Sequence, residues 1–591
     1  MKKLMTGNEA IARGAYEAGC LVAAAYPGTP STEILENVST YPEIYSEWST
    51  NEKVAVEVAA GAAIAGARSM AAMKHVGLNV AADPLFSAAY EGVNGGFVII
   101  TADEPGMHSS QTEQDNRYYA QAAKIALVEP SDSQECKDYM KAAFEISEKF
   151  DTIVLFKITT RIAHSKGIVE LGEREEVGVK DYTKDVKKYI MMPAHSRVKH
   201  IEMETERIPA LREFSNTTDL NRIEWNDRKI GIVTAGASYV HAKEVFGDSA
   251  SYLKIGFGWP MPDEKIKEFA AGVEKLYVIE ENEPYMETFI KAMGIPCTGK
   301  EIFSVCGEIS PQIIREVMLG EKAEDGYEID INVPGRPPAL CAGCPHRGIL
   351  YEIGKYKAKT VVTGDIGCYT LGALAPLNVG DTSICMGAGI TAGIGFDKVN
   401  KMAGREKKVF GVVGDSTFFH SGMTGLVNAV YNKSNMAVVI LDNRITAMTG
   451  HQENPGTGKT ITGIESPQVD LEGLVKAIGI KEENLRVIDP YDMSANKEAV
   501  KAALVAEEPF VIITKQPCAL IKDVQKRRAN LYCEVNQDKC TQCKTCLRIG
   551  CPAISMKDGV VSIDPVECNG CQVCLQVCPF NAIEAFGEEV K

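Results

Sequence analysis

The sequence predicts a multidomain α/β protein with buried parallel sheets, followed by a small cysteine-rich α+β tail. Three observations predict it. A chain of 591 residues exceeds what one hydrophobic core organises, so several domains are expected. Between Lys407 and Leu441 an apolar run (Val409 to Val413), a polar turn, a helical stretch around Gly422 to Tyr431 and a second apolar run (Met436 to Leu441) follow one another. That is the pattern of a βαβ unit whose strands are buried on both faces. Eight of the 18 cysteines fall between Cys540 and Cys578.

Composition narrows the classes. Hydrophobic residues at 45% and charged residues at 24% are the balance of a globular protein in water. A formal charge of −16 offers no basic surface to nucleic acid. Met1 to Asn8 lacks the apolar centre of an export signal. No apolar run approaches the roughly 18 residues of a membrane span. The expected location is the cytoplasm, where clustered cysteines bind metal rather than form disulfides.

Along the chain, the first buried strand is expected at Leu21 to Ala25. The turn Tyr26-Pro27-Gly28-Thr29-Pro30-Ser31-Thr32-Glu33 closes it and opens a helix whose start suits an anion. A run of small residues, Glu57-Val-Ala-Ala-Gly-Ala-Ala-Ile-Ala-Gly-Ala-Arg68, follows a single acid. Its apolar neighbours predict a carboxyl at Glu57 with burial-controlled protonation, Glu52 being the alternative. Residues 181–227 read as a charged, irregular excursion, and Ile230 to Thr234 as the strand opening a smaller α/β domain.

The βαβ unit carries oxygen donors at its strand ends. Gly414-Asp415-Ser416 ends the first strand, and Asn443 stands 26 intervening residues later, beyond the second. Asp415 offers a carboxylate, Asn443 an amide oxygen and Ile445 a backbone carbonyl, hard donors for Mg²⁺ bound to a diphosphate. Gly414 lets the backbone approach closely. This resembles the thiamine-diphosphate signature, Gly-Asp-Gly followed at that spacing by Asn, with Ser416 replacing the last Gly. Thr446-Ala-Met-Thr449-Gly-His-Gln452 is similar to the Thr-Gly-Gly-Gln stretch of pyruvate:ferredoxin oxidoreductases. That likeness places Thr449 at the cofactor; Met448, where those enzymes carry Asn, suits a bulkier apolar substrate.

The tail reads Cys540-x2-Cys543-x2-Cys546-x4-Cys551-Pro552, then Cys568-x2-Cys571-x2-Cys574-x3-Cys578-Pro579. It resembles a bacterial two-cluster ferredoxin, in which each Cys-Pro ligates the other cluster. The resemblance implies one 4Fe–4S cluster on Cys540, Cys543, Cys546 and Cys578, and another on Cys568, Cys571, Cys574 and Cys551. Zinc also takes paired Cys-x-x-Cys, but tandem triple-cysteine runs, each with a Cys-Pro, favour iron–sulfur. Cys341, Cys344, Cys368 and Cys518 resemble the ligands of a third, cofactor-proximal cluster in pyruvate-type enzymes; buried structural thiols are the alternative.

Thr6-Gly7-Asn8-Glu9-Ala10, Lys74-His75-Val76-Gly77, the stretch Asp103 to Gln111 and Leu340-Cys-Ala-Gly-Cys-Pro-His346-Arg347 are similar to the large subunits of indolepyruvate:ferredoxin oxidoreductases. The likeness covers nearly the whole chain. It implies a pyrimidine-side thiamine-diphosphate domain over 1–180, a linker over 181–227 and a transketolase C-terminal-like domain over 228–325. A diphosphate-side domain over 335–525, opened by the loop Pro334-Gly335-Arg336-Pro337-Pro338, and a ferredoxin domain over 530–591 complete it. It further implies that Glu57 activates the cofactor at N1′ and that Thr29 contacts substrate. The implied reaction is oxidative decarboxylation of aryl-pyruvates (indolepyruvate, phenylpyruvate, hydroxyphenylpyruvate) with coenzyme A, giving arylacetyl-CoA, CO₂ and reduced ferredoxin. A small β subunit is the implied partner. The same mechanism on another 2-oxoacid, or a non-oxidative thiamine-dependent decarboxylase, are the alternatives. Pyruvate-type enzymes anchor the substrate carboxylate with an arginine near the position of Asp103; none stands there, which leaves Lys74, His75 and His346 as candidates.

Overall fold

The apolar runs become parallel strands with both faces covered. In the strands Phe97–Asp103, Lys408–Gly414 and Met436–Asp442 every residue is buried, as continuous apolar sequence requires of a parallel sheet between helices. The computed structural model describes residues 1–322, 335 and 337–590. The chain divides into two units, Met1–Asp330 and Ile331–Lys591. Pro334 and Arg336 of the expected domain-opening loop, and the expected boundary at 325, lie outside the described residues.

The first unit holds a seven-stranded sheet ordered Phe257–Trp259, Ala126–Val128, Val154–Thr159, Phe97–Asp103, Ser69–Lys74, Val22–Ala25, Tyr45–Trp48. Every pairing is parallel except the Phe257–Trp259 edge. The chain leaves Val22–Ala25 toward Tyr45–Trp48 on one side and leaves Ser69–Lys74 toward Phe97–Asp103 on the other. The carboxyl ends of Val22–Ala25 and Ser69–Lys74 therefore flank a topological switch point, where α/β sheets open a crevice. A second sheet runs Lys275–Ile279, Ile230–Ala235, Ser251–Ile255, Arg222–Glu224, the last strand antiparallel. Phe257–Trp259, from the segment expected to form this smaller domain, instead pairs with Ala126–Val128 and joins the first sheet.

The stretch expected to be an irregular excursion is largely helical, with helices Pro193–Glu202 and Ile208–Thr217 joined by the π turn Met203–Arg207. Its sparse apolar residues explain the misreading: Met203, Ile208 and Leu211 are buried at helical spacing inside a charged sequence.

The second unit holds six parallel strands ordered Thr382–Ser383, Thr360–Gly364, Lys408–Gly414, Met436–Asp442, Phe510–Lys515, Leu485–Ile488. The helix Ala388–Met402 crosses it closely. A Cβ at Gly389 would meet the Val412 carbonyl oxygen at 2.5 Å, so glycine is needed for that approach. The tail forms two antiparallel pairs, Tyr532–Val535 with Ile583–Phe586 and Ile554–Lys557 with Val560–Ile563. The buried Arg347 guanidinium ties the tail to the sheet domain: it donates to Ile549 O at 2.8 Å and to Leu340 O at 2.7 Å.

Candidate functional site

Two neighbouring strand ends build the first part of the site. Lys408–Gly414 turns into a short helix at Asp415–Thr417, then a π stretch Phe418–Gly422, before the helix Met423–Tyr431. Asp415 is buried at this turn. Burial, aided by the charge of Asp442, pushes its carboxyl up to about 7. Gly414 packs closely on Tyr369, whose ring a Cβ would meet at 3.0 Å.

Asn443 follows the neighbouring strand and is also buried. Its amide nitrogen donates to the Ile445 carbonyl oxygen at 2.8 Å and to Asp415 Oδ1 at 3.1 Å; turned over, the amide would set its oxygen beside these two. Cis oxygens about a small octahedral cation at 2.1 Å stand about 3 Å apart. The donors fit Mg²⁺. Buried His346, opening the helix His346–Gly354, meets the other side of the amide, with Nε2 3.5 Å from Asn443 Nδ2 when the amide is so turned. Burial lowers its pKa to about 4, so at neutral pH its ring is uncharged and can accept from that amide.

Ser416 and Thr449 are held by neighbours: Thr446 Oγ1 donates to Ser416 Oγ at 2.9 Å, and Thr449 Oγ1 to Gln452 Oε1 at 2.6 Å. Two contributors escaped the sequence reading. Asn454 donates to Asp415 Oδ2 at 3.2 Å. Asp365 accepts from Tyr369 Oη and, at 2.7 Å, from the Gly387 N–H. The Asp365 signal was its place after the strand Thr360–Gly364; Asn454 sits in a loop with no pattern.

The cysteines gather as two sets. Cys540, Cys543, Cys546 and Cys578 line one cavity, and Cys551, Cys568, Cys571 and Cys574 another. Among the described residues no three His, Cys, Asp or Glu side chains are close enough for a single metal ion, whereas a cubane spaces its thiolates more widely. A ninth cysteine, Cys533, lines the second cavity, and its N–H donates to Cys568 Sγ at 3.3 Å. That cavity also borders Ala342 and Gly343, in the Cys341–Cys344 loop. The four cysteines expected of a third cluster also act on one another. Cys344 lies in the field of Cys341 and Cys368, and Cys518 in that of Cys341; Cys368 feels both Cys518 and Cys341.

In the first unit the helix Glu52–Ile64 is capped by the Asn51 side chain, which accepts from Val54 N at 2.9 Å. Glu52 is buried, on the face shared by Val56, Ala59 and Ala63. Glu57 is not. Five residues turn an α-helix about 140° past a full circle, so Glu57 faces solvent, 45% exposed and ion-paired with Lys53. The apolar pocket expected at Glu57 belongs to Glu52. Thr29 is half-buried in the turn after Val22–Ala25. Lys74 ends the strand Ser69–Lys74, and His75 is buried with Nε2 2.9 Å from Thr112 O.

Residues 365–514 match the family described as thiamine pyrophosphate enzyme, C-terminal TPP binding domain. Residues 13–222 match pyruvate flavodoxin/ferredoxin oxidoreductase, thiamine diP-bdg, and 561–584 the 4Fe-4S binding domain. Over 99% of this chain and 97% of its own, the indolepyruvate oxidoreductase subunit IorA of Thermococcus kodakarensis is 42% identical. The chain belongs to the indolepyruvate oxidoreductase subunit IorA family. The IorA subunit of Methanothermobacter thermautotrophicus is 40% identical over 99% of this chain and 98% of its own. The 2-oxoglutarate synthase subunit KorA of Methanothermobacter marburgensis is 25% identical over 54% of this chain and 98% of its own. As an IorA-family member, the chain is an iron–sulfur oxidoreductase with thiamine-diphosphate-binding domains and a ferredoxin-like tail. Among the described residues no helix is long and apolar enough to cross a membrane.

Proposed function

We propose that this subunit catalyses oxidative decarboxylation of aryl-pyruvates with coenzyme A and passes the electrons to ferredoxin, in complex with a small β subunit. The observation that carries the reading is the coexistence, in one unit, of the converging Asp415, Asn443 and Ile445 carbonyl with two cavities that each gather four of the expected cysteines. A non-oxidative decarboxylase has use for the first and none for the second.

Thiamine diphosphate, when bound, supplies the electron sink that lets CO₂ leave a 2-oxoacid. Asp415, Asn443 and the Ile445 carbonyl would hold Mg²⁺ against its diphosphate. His346, accepting from the Asn443 amide, would keep the amide oxygen turned to that cation. Within the first unit, Glu52 would be the acid suited to exchange a proton with an aminopyrimidine nitrogen. Cys341, Cys344, Cys368 and Cys518 would hold a first cluster. The set Cys551, Cys568, Cys571 and Cys574, whose cavity borders the Cys341–Cys344 loop, would hold a second cluster, and Cys540, Cys543, Cys546 and Cys578 another; such clusters would supply one-electron carriers.

The test is anaerobic viologen reduction by this subunit co-expressed with its small partner. Indolepyruvate, phenylpyruvate and pyruvate are each supplied with and without coenzyme A. CoA-dependent reduction with the aryl substrates and little with pyruvate is expected; reduction with pyruvate alone would overturn the substrate class.

A further inference from the structure

The implied substrate brings a carboxylate to a site whose sequence lacks the arginine of pyruvate-type enzymes, and among the described residues of the first unit Lys74 is a cation placed for it. Lys74 is the last residue of the strand Ser69–Lys74, on one lip of the switch-point crevice; the Gly28–Thr29 turn after Val22–Ala25 is the other lip. The two lips touch. A Cβ on Gly28 would meet Lys74 Cγ at 3.0 Å and Cδ at 3.1 Å, so the lysine stem lies on the Gly28 backbone. Glu52 reaches the same crevice: a Cβ on Gly77, one turn past Lys74, would meet Glu52 Cγ at 2.7 Å.

The Lys74 side chain is 13% exposed, and its ammonium donates no hydrogen bond among the described residues. The nearest carboxylate, Glu104, stands 3.9 Å away. That carboxylate already accepts from Ser109 N at 2.7 Å, Ser109 Oγ at 2.9 Å and Ser110 Oγ. A mostly buried ammonium without a hydrogen-bonded partner is costly unless something arrives to meet it. His75 is the weaker candidate, since its ring is sealed in the core against Thr112 O. His346 is engaged with Asn443.

We infer that Lys74 is the positioning residue for the substrate's C1 carboxylate, beside Thr29 and Glu52; the inference rests on the 2-oxoacid reading above. Its stem is fixed by Gly28, so the ammonium is pre-placed and little side-chain entropy is lost on binding. A lysine offers a point charge rather than a bidentate fork, which leaves the carboxylate free to rotate as its bond to C2 breaks.

The test uses the complex with its small partner and the variants Lys74→Met, which keeps the stem on Gly28, and Lys74→Arg. For Lys74→Met, KM for phenylpyruvate should rise about tenfold or more, the scale of one charge-assisted hydrogen bond, with kcat within about threefold. Lys74→Arg should recover most of that loss. Bound thiamine diphosphate should be unchanged in both. Inhibition by phenyllactate should weaken in parallel with KM, while inhibition by its amide, which lacks the charge, should not move. An active Lys74→Met enzyme with unaltered KM and phenyllactate inhibition would overturn the assignment. So would equal weakening of acid and amide. Wild-type enzyme that reduces viologen with no 2-oxoacid would instead sink the functional reading itself, a result distinct from either.

Discussion

The amide of Asn443 donates to Oδ1 of Asp415 at 3.1 Å, across the carboxyl ends of two hydrogen-bonded parallel strands. With the amide turned over, two acceptors would face each other and repel unless a proton or a cation lay between them. Asp415, Asn443 and Ile445 O would then be the residues that hold a cation.

Asp415→Ala should therefore weaken thiamine-diphosphate and Mg²⁺ retention about 100-fold or more, because outer contacts to a metal already cost 10–100-fold. Asn454→Ala, which removes only a donor to Asp415 Oδ2, should cost less. Cofactor content after desalting, read against Mg²⁺ concentration, checks both; full retention by Asp415→Ala would rule out this site.

The two candidate acids on one helix separate cleanly. Glu52→Gln should lower kcat by about 10²-fold or more, the usual scale for losing an acid–base group, with cofactor still bound. Glu57→Gln, which affects a solvent-facing pair with Lys53, should change kcat less than about twofold. The reverse ranking would restore Glu57.

Cluster pairing is open to a similar comparison. Cys578→Ser and Cys543→Ser should leave the same residual paramagnetic spectrum, because both sulfurs line one cavity. Cys551→Ser and Cys571→Ser should share a different one. Iron analysis should show about one cubane lost in each. A matching spectrum for Cys578→Ser and Cys571→Ser would contradict the crossed assignment.

Stability against pH carries a further prediction. Burial pushes the Glu281 carboxyl up to about 7, against about 4.3 when unfolded. The native state thus holds this proton more tightly. Its contribution is fully present below about pH 4.3 and lost as pH rises through 7, after which the curve is flat. Nearby Lys157, raised by Glu129 and Asp103 against the opposing effect of burial, stays charged across that window. The melting temperature of the cofactor-free protein should fall between pH 5 and 7.5, and Glu281→Gln should flatten part of that fall. Identical slopes would show that Glu281 does not titrate there.

What the sequence made legible was whatever repeats locally. The strands around Val409 to Val413 and Met436 to Leu441 stand where their apolar runs are, because a parallel strand buried on both faces has no polar position to hide. The cysteine sets were readable because three cysteines of each stand at a regular short spacing in the sequence. Glu52 and Glu57 could not be separated by local composition, since both border the same small-residue run. Only the helical turn, anchored by the Asn51 cap, says which faces the core. The helices over 193–217 were missed for the opposite reason: too few apolar residues to stand out among charges. Asn454 and Asp365 meet their partners only through tertiary folding, and the lysine at the crevice became distinct once Gly28 was seen to lie against its stem.

The most direct measurement of the central claim is paramagnetic resonance on the anaerobic, dye-free complex, frozen after phenylpyruvate and coenzyme A are added. Electrons that leave the substrate must then reside on this subunit. Reduced 4Fe–4S signals appearing within one turnover, together with an equivalent of CO₂, are the predicted result. CO₂ released as the aryl aldehyde forms, with every cluster still oxidised, would contradict the account and identify a decarboxylase whose iron–sulfur tail serves some other end.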